Sequence, residues 1–197
     1  MNSIELANIR NITISGRIGA GATTLARGLS QTLGWKHIEG GDVFWEHVRS
    51  KLDLAPKDTN LRPDGEDEKF DEMLKRLLSV DQSNIVETKL AGFNAQGIEG
   101  VFKILVVCDD ENGLDQTAIR VDRIVNREHF SVEDAKVEVF EREKNDIEKW
   151  RRMYAGGDEK WVYWDRKYYD LVINTYSHNA EETLKVALEG IGYKLSA

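Results

Sequence analysis

Ile9, Ile12 and Ile14 form a β-branched run that closes at Ser15, and this pattern predicts a strand. Glycines follow at 16, 19 and 21, and then Leu25, Leu29 and Leu33 recur every fourth residue on one face of a helix that Gly34 ends. A short strand at 36–38 leads into Gly40-Gly41. Val43, Phe44, His47 and Val48 mark the inner side of a helix from Asp42 to Leu52. Residues 53–68 are polar and hold both prolines, 56 and 63, so they predict a loop. Phe70, Met73, Leu74, Leu77 and Leu78 restore the helical spacing. Asn84–Thr88 and the apolar run Lys103–Cys108 predict interior strands. Charged helices are expected over 114–128 and 132–154, the second capped by Ser131 with Asp134 as its partner three residues on. Leu171–Thr175 is a last strand, and Ala180, Leu184, Ala187 and Leu188 mark a closing helix.

Strands and helices thus alternate, which predicts an α/β fold with a parallel sheet and helices on both faces. Ligands of such sheets bind beyond the carboxyl ends of the strands. Three expected strand ends carry unusual residues: Ser15-Gly16, Glu87-Thr88-Lys89 and Asp109-Asp110.

Composition narrows the function classes. The 197 residues carry 27 Lys+Arg against 35 Asp+Glu, a net charge of −8, which argues against general nucleic-acid binding. No apolar run approaches the ~20 residues that span a bilayer, so no membrane partner is expected. The N-terminus lacks a basic region followed by an apolar core, and Cys108 is the single cysteine, so the expected location is the cytoplasm. The histidines at 37, 47, 129 and 178 are scattered, with no spacing that suggests structural zinc.

The segment ITISGRIGAGATTLARGL fits strand, glycine loop and helix. Gly16 and Gly21 hold the spacing of the phosphate loop G-x-x-x-x-G-K-[ST], and Thr23 holds its hydroxyl position. Glycines are needed there because backbone N–H groups must turn inward around a polyphosphate at a helix N-terminus. Ala22 stands at the lysine position and can neither span phosphates nor neutralise developing charge. Arg17, one residue after the first glycine, is either a replacement cation or a solvated arginine. A ligand-free glycine turn is the alternative for the loop as a whole.

The glycine loop, HIEGGDVFWEH, IVETKLAGF, RVDRIVNRE, FEREKNDIEKWRRMY and YDLVINT together resemble the cytidylate kinase-like family of P-loop nucleoside monophosphate kinases, in its short archaeal and bacterial form. The resemblance covers nearly the whole chain. It implies a five-stranded parallel sheet of the adenylate kinase type as a single domain over 1–197, with acceptor-binding helices at 42–83 and a mobile lid at 129–156. It implies ATP as phosphoryl donor, Mg²⁺ as cofactor, and CMP or dCMP as acceptor, in a monomer or homodimer whose other partners are small-molecule nucleotides. Carried over by position, Gly16, Gly19, Gly21, Ala22, Thr23 and Thr24 would hold the ATP phosphates, and Arg123 would lie against the base. Thr23 would bind Mg²⁺ directly, and Asp42 and Glu87 would bind it through water. Lys89, Arg127, Arg142 and Lys149 would serve the transferring phosphoryl group, with Arg17 as the candidate replacement for the missing loop lysine. Phe44, Trp45, Ala91, Gly92 and Phe93 would join Asp42 and Glu87 at the acceptor, with Phe93 stacking on its base.

The chain departs from the family pattern at Ala22 for Lys, Trp45 for Arg, and Thr88-Lys89 for Gly-Arg. Two further readings follow: a nucleotide-binding regulator with little turnover, and a P-loop kinase for another small acceptor. Residue chemistry also leaves plainer roles open, with Asp42 as a helix cap and the lid cations as surface ion pairs. Trp161 and Trp164 are expected to cap the core, to cover the adenine end, or to support a dimer surface.

Overall fold

The computed structural model describes residues 4–41, 44 and 61–193. Five parallel strands form one sheet: β1 (Asn11–Gly16), β2 (Lys36–Glu39), β3 (Asn84–Glu87), β4 (Val101–Val107) and β5 (Leu171–Asn174), in the order β2-β3-β1-β4-β5. The helices are α1 (Ala22–Leu33), α2 (Asp64–Val80), α3 (Ala91–Asn94), α4 (Thr117–Glu128), α5 (Val132–Lys136), α6 (Glu143–Tyr154) and α7 (Ala180–Gly190). A π-helical stretch, Val137–Arg142, joins α5 to α6.

The period of β1 sorts the two faces. Ile12 and Ile14 point into a core made with Leu25, Leu29 and Leu33 of α1, Ile104 and Val106 of β4, and Ala187 and Leu188 of α7. Asn11, Thr13 and Ser15 are equally buried on the other face. Asn11 and Ser15 are satisfied there: Asn11 Nδ2 donates to Leu78 O and Asp81 O, and Ser15 Oγ donates to Thr88 O while accepting from Gly92 N. That face is covered by α2 and α3 through Leu74, Leu78, Ala91 and Ala95. A third cluster packs Ile147 and Trp150 of α6 on Leu90, Trp161 and Tyr163. Trp161 therefore caps the core, as one of the sequence readings held.

Expected and observed elements differ in three places. α2 begins at Asp64, inside the segment 53–68 read as loop. Pro63 fixes the entry, and Asp64, Glu66 and Asp67 favour the positive end of the helix dipole, a start signal that carries no apolar periodicity. α4 begins at Thr117 and not at 114, because the Asp110 carboxylate accepts from the N–H groups of Asn112 and Leu114 and folds that stretch into a turn. Ala91–Asn94, for which the sequence pattern predicts no element, forms the short helix α3, with Leu90 at its N-cap. The expected helix from Asp42 to Leu52 lies, Phe44 apart, outside the described residues. Ser131 caps α5 as expected, accepting from Asp134 N at 3.1 Å.

Candidate functional site

The loop between β1 and α1 sits at the carboxyl edge of the sheet, at one end of a cleft of about 820 Å³. Its backbone is fixed by close approach. Gly19 has φ +79°, and a Cβ there would lie 2.5 Å from the carbonyl oxygen of Arg120 in α4. Gly21 has φ +108° and precedes α1 with no side-chain cap, so the first N–H groups of that helix have no such partner. Such an end accepts an anion.

Thr23, in the first turn of α1, donates to Glu87 Oε1 at 2.8 Å. The other Glu87 oxygen lies 3.2 Å from His37 Nε2. Arg127 Nη1 reaches the Thr23 hydroxyl at 3.5 Å. The loop hydroxyl, the acid at the end of β3 and a guanidinium of α4 therefore meet at one point of the cleft wall. Thr24 is exposed and outside the cleft lining, which Ala22 joins.

Sequence reasoning passed over Arg120, which is the main support of the loop. It is 1% exposed, donates to Ile18 O at 2.7 Å, and pairs with Asp115 at 2.9 Å and Glu143 at 3.4 Å. Its signal was its place three residues before Arg123, on the same face of α4. Arg17 joins the same network, at 2.5 Å from Glu143 and 3.2 Å from Asp115, and stacks over Trp164 at 4.5 Å. Burial alone would raise the Asp115 carboxyl. The hydrogen bonds from Arg120 and Thr117, with the charges of Arg120 and Arg17, hold it below its ordinary value. Arg123 clamps the loop to the end of β5, donating to Thr175 Oγ1 and Thr175 O, each at 2.8 Å.

Each cation assigned to phosphate by position rests on a carboxylate. Arg17 meets Glu143, Lys89 meets Asp146, Arg127 meets Glu128, Arg142 meets Glu138 and Lys149 meets Asp67. Arg17, Lys89, Arg127 and Arg142 line the cleft. Lys149 is 1% exposed and donates to Asp67 at 2.6 Å and Arg62 O at 2.7 Å, so it binds α6 to the start of α2. Burial pulls the ammonium groups of Lys89 and Lys149 below their ordinary values, against the opposing carboxylates Asp146 and Asp67.

The far end of the cleft is acidic and aromatic. Arg62 pairs with Asp67 and lies 4.6 Å over the Phe44 ring, which meets Phe70 edge-on at 4.8 Å. Asp71 lines the same wall and accepts from Tyr154 Oη at 2.5 Å. Burial raises its carboxyl, and the Asp67 charge adds to this, to about 6 against the hydrogen bond from Tyr154. Arg62 and Asp67 lie in the stretch 53–68 expected as loop, and Asp71 among the polar positions of the expected helix, where its charge gives no sign of burial. Of the positions assigned to the acceptor, Phe44 and Glu87 line the cleft, and Asp42 and Trp45 lie outside the described residues. Ala91, Gly92 and Phe93 are placed elsewhere. Phe93 packs edge-on against Trp161 and Tyr168 at 5.3 and 5.1 Å, and Gly92 is held against the Tyr169 ring, 2.2 Å from where its Cβ would stand.

No protein-family model matches the chain. It is 33% identical to the cytidylate kinase of Natronomonas pharaonis over 83% of this chain and 80% of that protein. It is 32% identical to the cytidylate kinase of Methanothrix thermoacetophila over 91% of this chain and 96% of that one. Among solved structures it superposes on a shikimate kinase from Acinetobacter baumannii with a TM-score of 0.55, at 16% identity, over 95% of this chain and 96% of that one. That likeness establishes the shared fold. Among the described residues no helix is long and apolar enough to cross a membrane.

Proposed function

The chain belongs to the cytidylate kinase family, and from that premise we propose that it transfers the γ-phosphoryl group of ATP to CMP or dCMP, giving ADP and CDP or dCDP. The observation that carries this reading is the hydrogen bond of Thr23 to Glu87 at the uncapped start of α1, facing the cleft. A hydroxyl beside a carboxylate is an oxygen donor set that suits a hard dication. Mg²⁺ on Thr23, with Glu87 and Asp42 reached through water, would supply neutralisation of charge between the donor phosphates.

The chain's own residues divide the remaining work. The loop N–H groups and the start of α1 take the donor phosphates, with Arg120 and Arg123 holding the loop in shape from behind. Arg127 and Arg142 face the cleft and stabilise charge on the transferring group once phosphate displaces their carboxylate partners Glu128 and Glu138. Lys89 stands at the acceptor side with Asp146. The Phe44–Phe70 wall, with Arg62 and Asp71, gives a flat base an apolar surface and polar groups to meet. Residues 129–156 act as the lid, with Lys149 as its anchor on α2.

One observation favours a second reading, nucleotide binding with little turnover. Ala22 supplies no loop cation, and the remaining cations are already matched by carboxylates. ADP formation from Mg·ATP with a panel of nucleoside and deoxynucleoside monophosphates, alongside Ala22→Lys, separates the two. Turnover with CMP or dCMP in the wild type supports the kinase. ATP binding without turnover, restored by Ala22→Lys, supports the binder.

A further inference from the structure

We propose that His37, Glu39 and Glu87 form a protein-built site for a first-row transition-metal dication of the Mn²⁺, Co²⁺ or Zn²⁺ class, which fills without nucleotide. His37 and Glu39 are two residues apart on β2 and so share a face of the sheet. The parallel register sets Glu39 beside Glu87 on β3, two carboxylates on neighbouring strands. Like charges so placed repel. Among the described residues, Arg27, an exposed side chain 3.2 Å from Glu39, and His37, 3.2 Å from Glu87, offset them directly, and Arg127 stands one hydroxyl away, on Thr23. One ligand atom from each of His37, Glu39 and Glu87 lies within 4.8 Å of the other two, which is the convergence a single cation requires. The Thr23 hydroxyl donates to the remaining Glu87 oxygen and so places a third oxygen at the rim.

The imidazole decides the metal class. Mg²⁺ keeps its waters and takes few oxygen ligands, whereas a site with a ring nitrogen and two carboxylates favours Mn²⁺, Co²⁺ and Zn²⁺. Glu39 and Glu87 face the cleft, so a metal has an entry path, and it would sit beside the loop that receives phosphate. The site goes beyond the kinase reading and does not need it, since its three ligand residues, His37, Glu39 and Glu87, come from the ends of two strands of the sheet.

The test uses the full-length chain free of nucleotide. Co²⁺ is titrated while its visible absorption is followed, and Mn²⁺ is followed by electron paramagnetic resonance, each with and without excess Mg²⁺. The expected result is one metal per chain that Mg²⁺ displaces poorly, with affinity at least about tenfold weaker in His37→Gln and in Glu39→Gln. Glu39 is partly exposed, so Glu39→Gln keeps the test decisive where His37→Gln fails to fold; circular dichroism and the melting temperature check both. Absence of a Co²⁺ band at millimolar metal, or binding unchanged in a folded Glu39→Gln variant, overturns the proposal. Neither readout involves phosphoryl transfer, so failure of the site and failure of the kinase reading are seen separately.

Discussion

The hydroxyl of Thr23 donates to Glu87 Oε1 across 2.8 Å, tying the first turn of α1 to the end of β3. The two residues lie 64 positions apart, and the sheet order alone brings them together, because β3 runs beside β1. Thr23→Val keeps the shape and removes the hydroxyl. The expected cost is about 1 kcal/mol in stability but roughly 10²–10³ in kcat. Steady-state kinetics and a urea melt on the same preparation measure both. Wild-type turnover in the Val variant removes Thr23 from the chemistry.

Gly19 and Gly113 test what the loop glycines do. Both have positive φ, +79° and +76°, but a Cβ at Gly19 would meet Arg120 O at 2.5 Å while one at Gly113 would meet nothing. Alanine at either site carries the backbone strain, about 1–2 kcal/mol. Gly19→Ala alone must also push α4 off the loop. Its denaturation midpoint is expected well below that of Gly113→Ala, with loss of ATP binding by calorimetry. Equal midpoints would show that the loop and α4 separate at little cost.

Much of this architecture is legible in the sequence, since the β1 alternation, the glycine loop and the strand–helix order all follow from local pattern. Other parts are set only by long-range approach. Lys149 is matched to a lid cation by resemblance, and the structure buries it on Asp67, 82 residues away, because α6 packs on the start of α2. Phe93 is matched to an acceptor stack by resemblance alone, and in the structure it is half-buried with Trp161 and Tyr168, from a segment far along the chain, edge-on to it. The start of α2 was missed because its signal is charge and proline with no apolar period. Arg120 was missed because a buried arginine looks in sequence like any helical arginine.

Arg120 offers a sharp stability prediction. Its guanidinium satisfies Ile18 O, Asp115 and Glu143 together from a fully buried position. Arg120→Lys keeps the charge but loses the planar fork that reaches all three. A loss of about 2 kcal/mol is expected, the cost of leaving buried acceptors without their donor while the charge stays in place. Guanidinium unfolding checks it, and a loss under 1 kcal/mol would mean that the loop keeps its shape without this support.

Asp71 makes folding depend on pH in the opposite sense to an ordinary ion-paired carboxylate. Burial raises its carboxyl from 3.8 to about 6, with the Asp67 charge adding to the rise, although Tyr154 donates a hydrogen bond to it. The folded chain therefore holds the proton more tightly than the unfolded one. This contribution is full below the unfolded value and is lost as pH rises through the folded value. A shift of this size corresponds to at most about 3 kcal/mol. Asp71→Asn carries no such titration, so the stability of the wild type relative to Asp71→Asn is expected to fall between pH 4 and pH 7. Tyr154→Phe removes the opposing hydrogen bond and is expected to extend the fall to higher pH. Urea melts across that range, paired with carbon NMR titration of the Asp71 carboxyl, measure both effects. A carboxyl midpoint near 4, with parallel stability curves for wild type and Asp71→Asn, would sink the argument.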